Sequence, residues 1–153
     1  MTEDRVQRAV ELFMSGYGCS QSVVAAFSDL YGLDDEMAKR ISAGFGGGIG
    51  RMRMMCGAVC GLVVLAGLEK GQTEGADRDG KAECYKLVQD LLAEFKAEKG
   101  SLICSELLQL RKDQPVTHVP DERNAEYYRV RPCARNVECA ARIFARYLES
   151  REG

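Results

Sequence analysis

The stretch MMCGAVCGLVVLAGL, residues 54–68, decides the reading of this chain. It carries no charged side chain and offers no polar face to water. A helix that is apolar nearly all round must be enclosed by other elements. Its fifteen residues fall short of the ~20 that a membrane-spanning helix needs, and Gly57, Gly61 and Gly67 dilute it further. It predicts a buried helix at the centre of a bundle.

The flanking sequence supplies the rest of that bundle. Val6, Ala9, Val10, Phe13 and Met14 share one helical face, with Arg5, Arg8 and Glu11 opposite, and Gly16 and Gly18 stop the helix. A second helix is expected from Cys19 to Tyr31, with Val23, Val24, Ala26, Phe27 and Leu30 inside and Gly32 at its end. Asp34 is placed to cap a third, Asp35 to Ala43, whose apolar positions are Met37 and Ile41. Residues 70–80 read as a polar surface loop. A helix from Lys81 to Lys99 buries Cys84, Leu87, Val88, Leu91, Leu92 and Phe95, and Gly100 ends it. A short helix, Cys104 to Leu110, precedes a long loop over 111–131 that holds Pro115 and Pro120. Pro132 opens the last helix, which reaches Glu149 with Val137, Ala140, Ala141, Phe144, Tyr147 and Leu148 as core. No segment alternates convincingly as a strand. The expected fold class is all-α: one compact domain over residues 1–153, a bundle of six to seven helices with a central apolar helix.

Composition narrows the function. The chain has 153 residues, 46% hydrophobic and 29% charged, with a net charge of −2, which is an ordinary globular balance. No basic run interleaved with aromatics occurs, so nucleic acid is not an expected partner. The acidic opening, Met1 to Arg5, does not read as a secretory leader. A cytoplasmic protein without membrane insertion is the expectation.

Seven cysteines against one histidine and no tryptophan are the anomaly. An odd count in a reducing compartment argues against a paired disulfide framework and for metal or redox chemistry. Four cysteines fall at predicted helix starts: Cys19, Cys56, Cys104 and Cys133. The first N–H groups of a helix lack intrahelical partners and carry partial positive charge. A thiolate placed there is stabilised, so its pKa is expected below the free value of ~8.5. These four are the candidate redox thiols and metal ligands. Cys60, one turn after Cys56, is a candidate resolving thiol. Cys84 and Cys139 lie within amphipathic helices and read as core packing.

The run Gly44-Phe45-Gly46-Gly47-Gly48-Ile49-Gly50 precedes the central helix. Its backbone N–H groups, at Gly46, Gly47 and Gly48 above all, could form an anion-binding nest that donates to a cofactor. Equally, the glycines could serve a sharp turn and close packing. The run lacks the Gly-Lys-Ser/Thr ending of a P-loop. Ile49 also stands where a dinucleotide fingerprint needs its last glycine. No Cys-x-x-Cys occurs, so a thioredoxin-type dithiol or zinc ribbon is not expected, nor is covalent haem attachment. His118, in the proline loop, reads as a solvated residue. Arg51 and Arg53, in an Arg-Met-Arg-Met-Met run, either attract an anionic partner or simply flank the loop.

Several pieces together resemble one family. They are Gly18-Cys19-Ser20-Gln21-Ser22-Val23, the glycine run with Ser42-Ala43 before it, Cys56-Gly57-Ala58-Val59-Cys60-Gly61, Gly100 through Leu108 around Cys104, and Pro132-Cys133. From about Tyr17 to Leu148 the chain resembles the redox-active C_GCAxxG_C_C family. The resemblance implies that the family's four recurring cysteines are Cys19, Cys56, Cys104 and Cys133, and that they carry redox chemistry through an iron–sulfur cluster. Cys60 departs from the pattern. A similar domain accompanies haem-binding segments in some cytochromes, and this chain lacks those segments. Three readings stay open: cluster-based electron transfer or sensing, metal-free thiol–disulfide chemistry pairing Cys56 with a distant cysteine, and a structural zinc interaction module. The expected partner is a redox protein, with a homodimer left open.

Overall fold

The computed structural model describes residues 2–152. Among them are eight α-helices: α1 (Thr2–Met14), α2 (Cys19–Ala25), α3 (Asp35–Ala43), α4 (Gly57–Lys70), α5 (Arg78–Lys99), α6 (Cys104–Leu107), α7 (Ala125–Val130) and α8 (Cys133–Glu152). A single 3-10 turn spans Ser28–Tyr31. The described residues form no strand; Met55 and Ile103 make one isolated antiparallel bridge. Among the described residues no helix is long and apolar enough to cross a membrane.

Local signals set most boundaries. Asp34 and Asn124 each accept a backbone N–H three residues on, from Met37 and Tyr127, and so start α3 and α7. Gly32 and Gly100 end their segments in the left-handed region. The apolar helix α4 packs against α2, α5 and α8, and α1 lies along α8 and α2. The core is built from Phe13, Phe27, Phe95, Phe144, Leu62 and Leu65, all fully buried. Phe27 meets Phe144 edge to face at 5.1 Å.

The seam between α2 and α4 depends on two glycines one helical turn apart. A Cβ on Gly61 would stand 2.8 Å from Val23 Cβ, and one on Gly57 would stand 3.1 Å from both Cys19 Cβ and the Phe45 carbonyl oxygen. Hydrogen on this face lets the two backbones approach closely.

Several local readings differ from the structure. The second helix is shorter than predicted: it ends at Ala25, and the 3-10 turn that follows changes the angular step per residue, leaving Leu30 41% exposed. In α3 the residues that face inward are Ala38 and Ser42, while Met37 and Ile41 are 45% and 44% exposed. Small residues serve there because Ser42 returns its hydroxyl to the Ala38 carbonyl and needs no polar partner elsewhere. α4 begins at Gly57 because Met55 is engaged in the bridge. The loop predicted over 111–131 contains α7. Cys84 is half-buried rather than core.

Gly61→Ala should therefore lower unfolding stability by about 1–3 kcal/mol, the usual cost of overpacking. Gly67, also in α4, has open space around its Cβ position. Gly67→Ala should raise stability by roughly 0.5–1 kcal/mol. Denaturant unfolding of the two variants checks both signs.

Candidate functional site

Each of the four helix-start cysteines sits where the sequence puts it. Cys19 is the first residue of α2, Cys104 of α6 and Cys133 of α8, and Cys56 caps α4. The Met55–Ile103 bridge draws two of these segments together: the Cys56 N–H donates to the Leu102 carbonyl at 2.8 Å and the Cys104 N–H to the Met54 carbonyl at 2.6 Å. The close α2–α4 seam brings Cys19 against Gly57. All four cysteines line one cavity of about 70 Å³. Gly47, Gly48, Arg53, Arg123, Tyr127 and Asn136 complete much of its wall.

The glycine run folds into a tight spiral. The carbonyls of Gly46, Gly47 and Gly48 accept from the N–H groups of Arg51, Arg53 and Met54 at 3.0, 3.2 and 2.9 Å. Gly48 has φ +78°, and a Cβ there would stand 2.7 Å from Cys104 Cβ. The turn requirement is thus met. Among the described residues, the N–H groups of Gly47 and Gly48 donate to no protein acceptor. Gly46 does not line the cavity.

Arg123 fixes the far wall. Its guanidinium donates to the Phe13 and Tyr17 carbonyls at 2.8 and 2.9 Å and lies over the Phe13 ring at 4.2 Å. That anchors α7 and sets Tyr127 beside Cys133. The sequence reading missed Arg123, Tyr127 and Asn136. The cap Asn124 followed by an adjacent tyrosine pair was the available signal for a helix there. Arg53 Nη1 reaches Cys104 Sγ at 3.6 Å.

Residues 17–147 match the family described as "Putative redox-active protein (C_GCAxxG_C_C)". The chain belongs to the C_GCAxxG_C_C family. No curated protein and no solved structure matches it. In this C_GCAxxG_C_C protein the central motif reads Cys56-Gly57-Ala58-Val59-Cys60-Gly61. Its two glycines are the pair that admits α2, and its first cysteine faces the cavity.

The remaining cysteines lie elsewhere. Cys60 is buried outside the cavity wall, its thiol toward the Met55 carbonyl at 3.8 Å, and burial pushes it up to about 11. Cys139 is buried and donates to Glu98 Oε2 at 2.9 Å; burial and that carboxylate push it up to about 12. His118 is exposed on its loop.

The expectation that helix starts lower every thiol pKa needs correction. Burial pushes Cys56 up to about 12, outweighing the N–H groups of Val59 and Ala58 that favour its thiolate. Burial raises Cys104 too, against the pull of Arg53. Removing a thiolate from water costs more here than a few aligned dipoles return. Only Cys133 is lowered, to about 6, by the neighbouring Cys19 thiol first, with Tyr127, Arg131 and Arg123 adding to the effect. Cys19, beside Cys133 and buried, is held well above the ordinary thiol range. The pair thus favours a single ionisation, with Cys133 the more acidic of the two.

In reduced, metal-free protein, iodoacetamide should modify Cys133 well before Cys56, with the Cys133 rate falling as pH drops through about 6. Peptide mass spectrometry after timed labelling reads the site. Labelling of Cys56 as fast as Cys133 would contradict this charge assignment.

Proposed function

We propose that this protein works as an electron-transfer or sensing protein whose four cavity cysteines, Cys19, Cys56, Cys104 and Cys133, ligate an iron–sulfur cluster. The observation that carries the reading is the convergence of four thiols, from four separate chain segments, on one cavity. A set of four thiols suits iron–sulfur ligation. When bound, such a cluster supplies reversible one-electron chemistry.

The spacing of the donors bears on the fit. Among the described residues no group of three or more His, Cys, Asp or Glu side chains is disposed to hold a metal ion. One tetrahedral zinc would hold its sulfurs at about 2.3 Å and so within about 4 Å of each other. A structural zinc module draws no support from this geometry. The cluster reading rests instead on the four thiols sharing one cavity wall.

The chain's own groups prepare the cavity for negative charge. Arg53 reaches the Cys104 sulfur. The N–H groups of Ala58 and Val59 favour the Cys56 thiolate. Arg131 and Arg123 favour that of Cys133. The undonated N–H groups of Gly47 and Gly48 are available to sulfur acceptors at the same wall. Such donors and charges tune the reduction potential of a ligated cluster.

The Cys19–Cys133 thiol–thiolate pair favours a second reading, a metal-free dithiol. Here the two sulfurs join in a disulfide, releasing the one proton the pair holds and passing two electrons to a disulfide acceptor, which becomes a dithiol. This reading pairs Cys19 with Cys133, rather than Cys56 with a distant cysteine, on the lowered Cys133 beside Cys19.

Anaerobic purification separates the two. Brown protein with iron and acid-labile sulfide is expected. Serine at Cys19, Cys56, Cys104 or Cys133 should each remove most of the iron, and serine at Cys84 or Cys139 should not. Colourless protein that loses two titratable thiols on mild oxidation, and loses none in Cys133→Ser, would establish the dithiol in place of the cluster.

A further inference from the structure

Beside the cysteine cavity lies a second, larger cleft of about 500 Å³, within the size range of small-molecule sites. The two share Arg53. Arg51, Arg53, Arg111, Lys112 and Arg131 line the cleft, against the carboxylates of Asp121 and Glu106. Arg51, Arg53 and Arg131 are recessed, with side chains 17%, 14% and 24% exposed.

All three converge on the same oxygen, Asp121 Oδ2, at 2.8, 3.7 and 3.0 Å. A guanidinium presents a fork that matches a carboxylate or phosphate through two parallel bonds. Arg51 also donates to the Thr117 carbonyl at 3.0 Å and Arg53 reaches Cys104 Sγ, yet one carboxylate still faces three guanidinium charges. The backbone beneath is strained to hold this arrangement. Four non-glycine residues take positive φ: Ile49, Arg51, Arg53 and Gln109. Three of them, Arg51, Arg53 and Gln109, line this cleft. Strain of this kind costs free energy and concentrates where function retains it.

We propose that this cleft binds a small molecule bearing an oxyanion group, a carboxylate or a phosphoryl group, and holds it against the wall shared with the cysteine cavity. Asp121, carried on the exposed loop between α6 and α7, is the internal anion that the ligand displaces from the arginine forks. The site uses no cavity cysteine and stands or falls independently of what the four thiols hold.

Calorimetric titration of the reduced full chain at low ionic strength tests it, with inorganic phosphate and succinate as separate probes and sodium chloride as the control. Saturable binding of at least one probe is expected, and which probe binds identifies the oxyanion. Arg51→Gln and Arg131→Gln should each weaken binding about tenfold or more, the scale of one lost charge-assisted contact. Asp121→Asn should tighten it several-fold, a direction that general loosening of the fold does not produce. No saturable binding of either probe overturns the proposal, as does affinity unchanged in both arginine variants. Binding of an acidic peptide where both small probes fail also overturns it, in favour of a protein partner.

Discussion

The close approach of α4 to α2 governs this structure. Gly57 and Gly61 put bare backbone on the one face of α4 where Cys19, Val23 and the Phe45 carbonyl press in. That contact fixes the height and rotation of the two helices relative to each other. It therefore fixes where Cys19 and Cys56 lie, because each is at the start of its helix. The bridge between Met55 and Ile103 then adds Cys104 from a remote part of the chain. The cavity is a product of helix packing, and no single loop carries its sulfurs.

Two opposing effects set the character of those sulfurs. Helix starts and arginines favour thiolates, and enclosure disfavours them. Enclosure wins at Cys56, Cys60 and Cys104. At Cys133 the neighbouring Cys19 thiol, Tyr127 and nearby arginines tip the balance the other way. An enclosed set of thiols with one thiolate among them carries little net charge on its own. It gains full ionisation only with something that supplies compensating positive charge.

Much of this was legible in the sequence, and the omissions have causes. The apolar stretch 54–68, the glycine stops and the caps gave an all-helical bundle with nearly correct element order. The four helix-start cysteines were separable from Cys84 and Cys139 because position along a helix is a local property. What local reading cannot carry is how a neighbouring segment changes an environment. Leu30, Met37 and Ile41 looked inward by periodicity, but a 3-10 turn and the small residues Ala38 and Ser42 altered which side faces the core. Arg123 lay in what read as a proline loop, and its role comes from carbonyls on α1 and the turn after it. The pKa order of the thiols was likewise out of reach, since it depends on burial and on pairing across the fold.

The spread of the cavity residues, from Cys19 near one end to Cys133 near the other, has a consequence for biosynthesis. A ribosome adds Cys133 as the 114th residue after Cys19. No shorter nascent product can present all four sulfurs. Proteins that bunch their cysteines in one short run bring them together at once, whereas this cavity waits for its most distant wall residues.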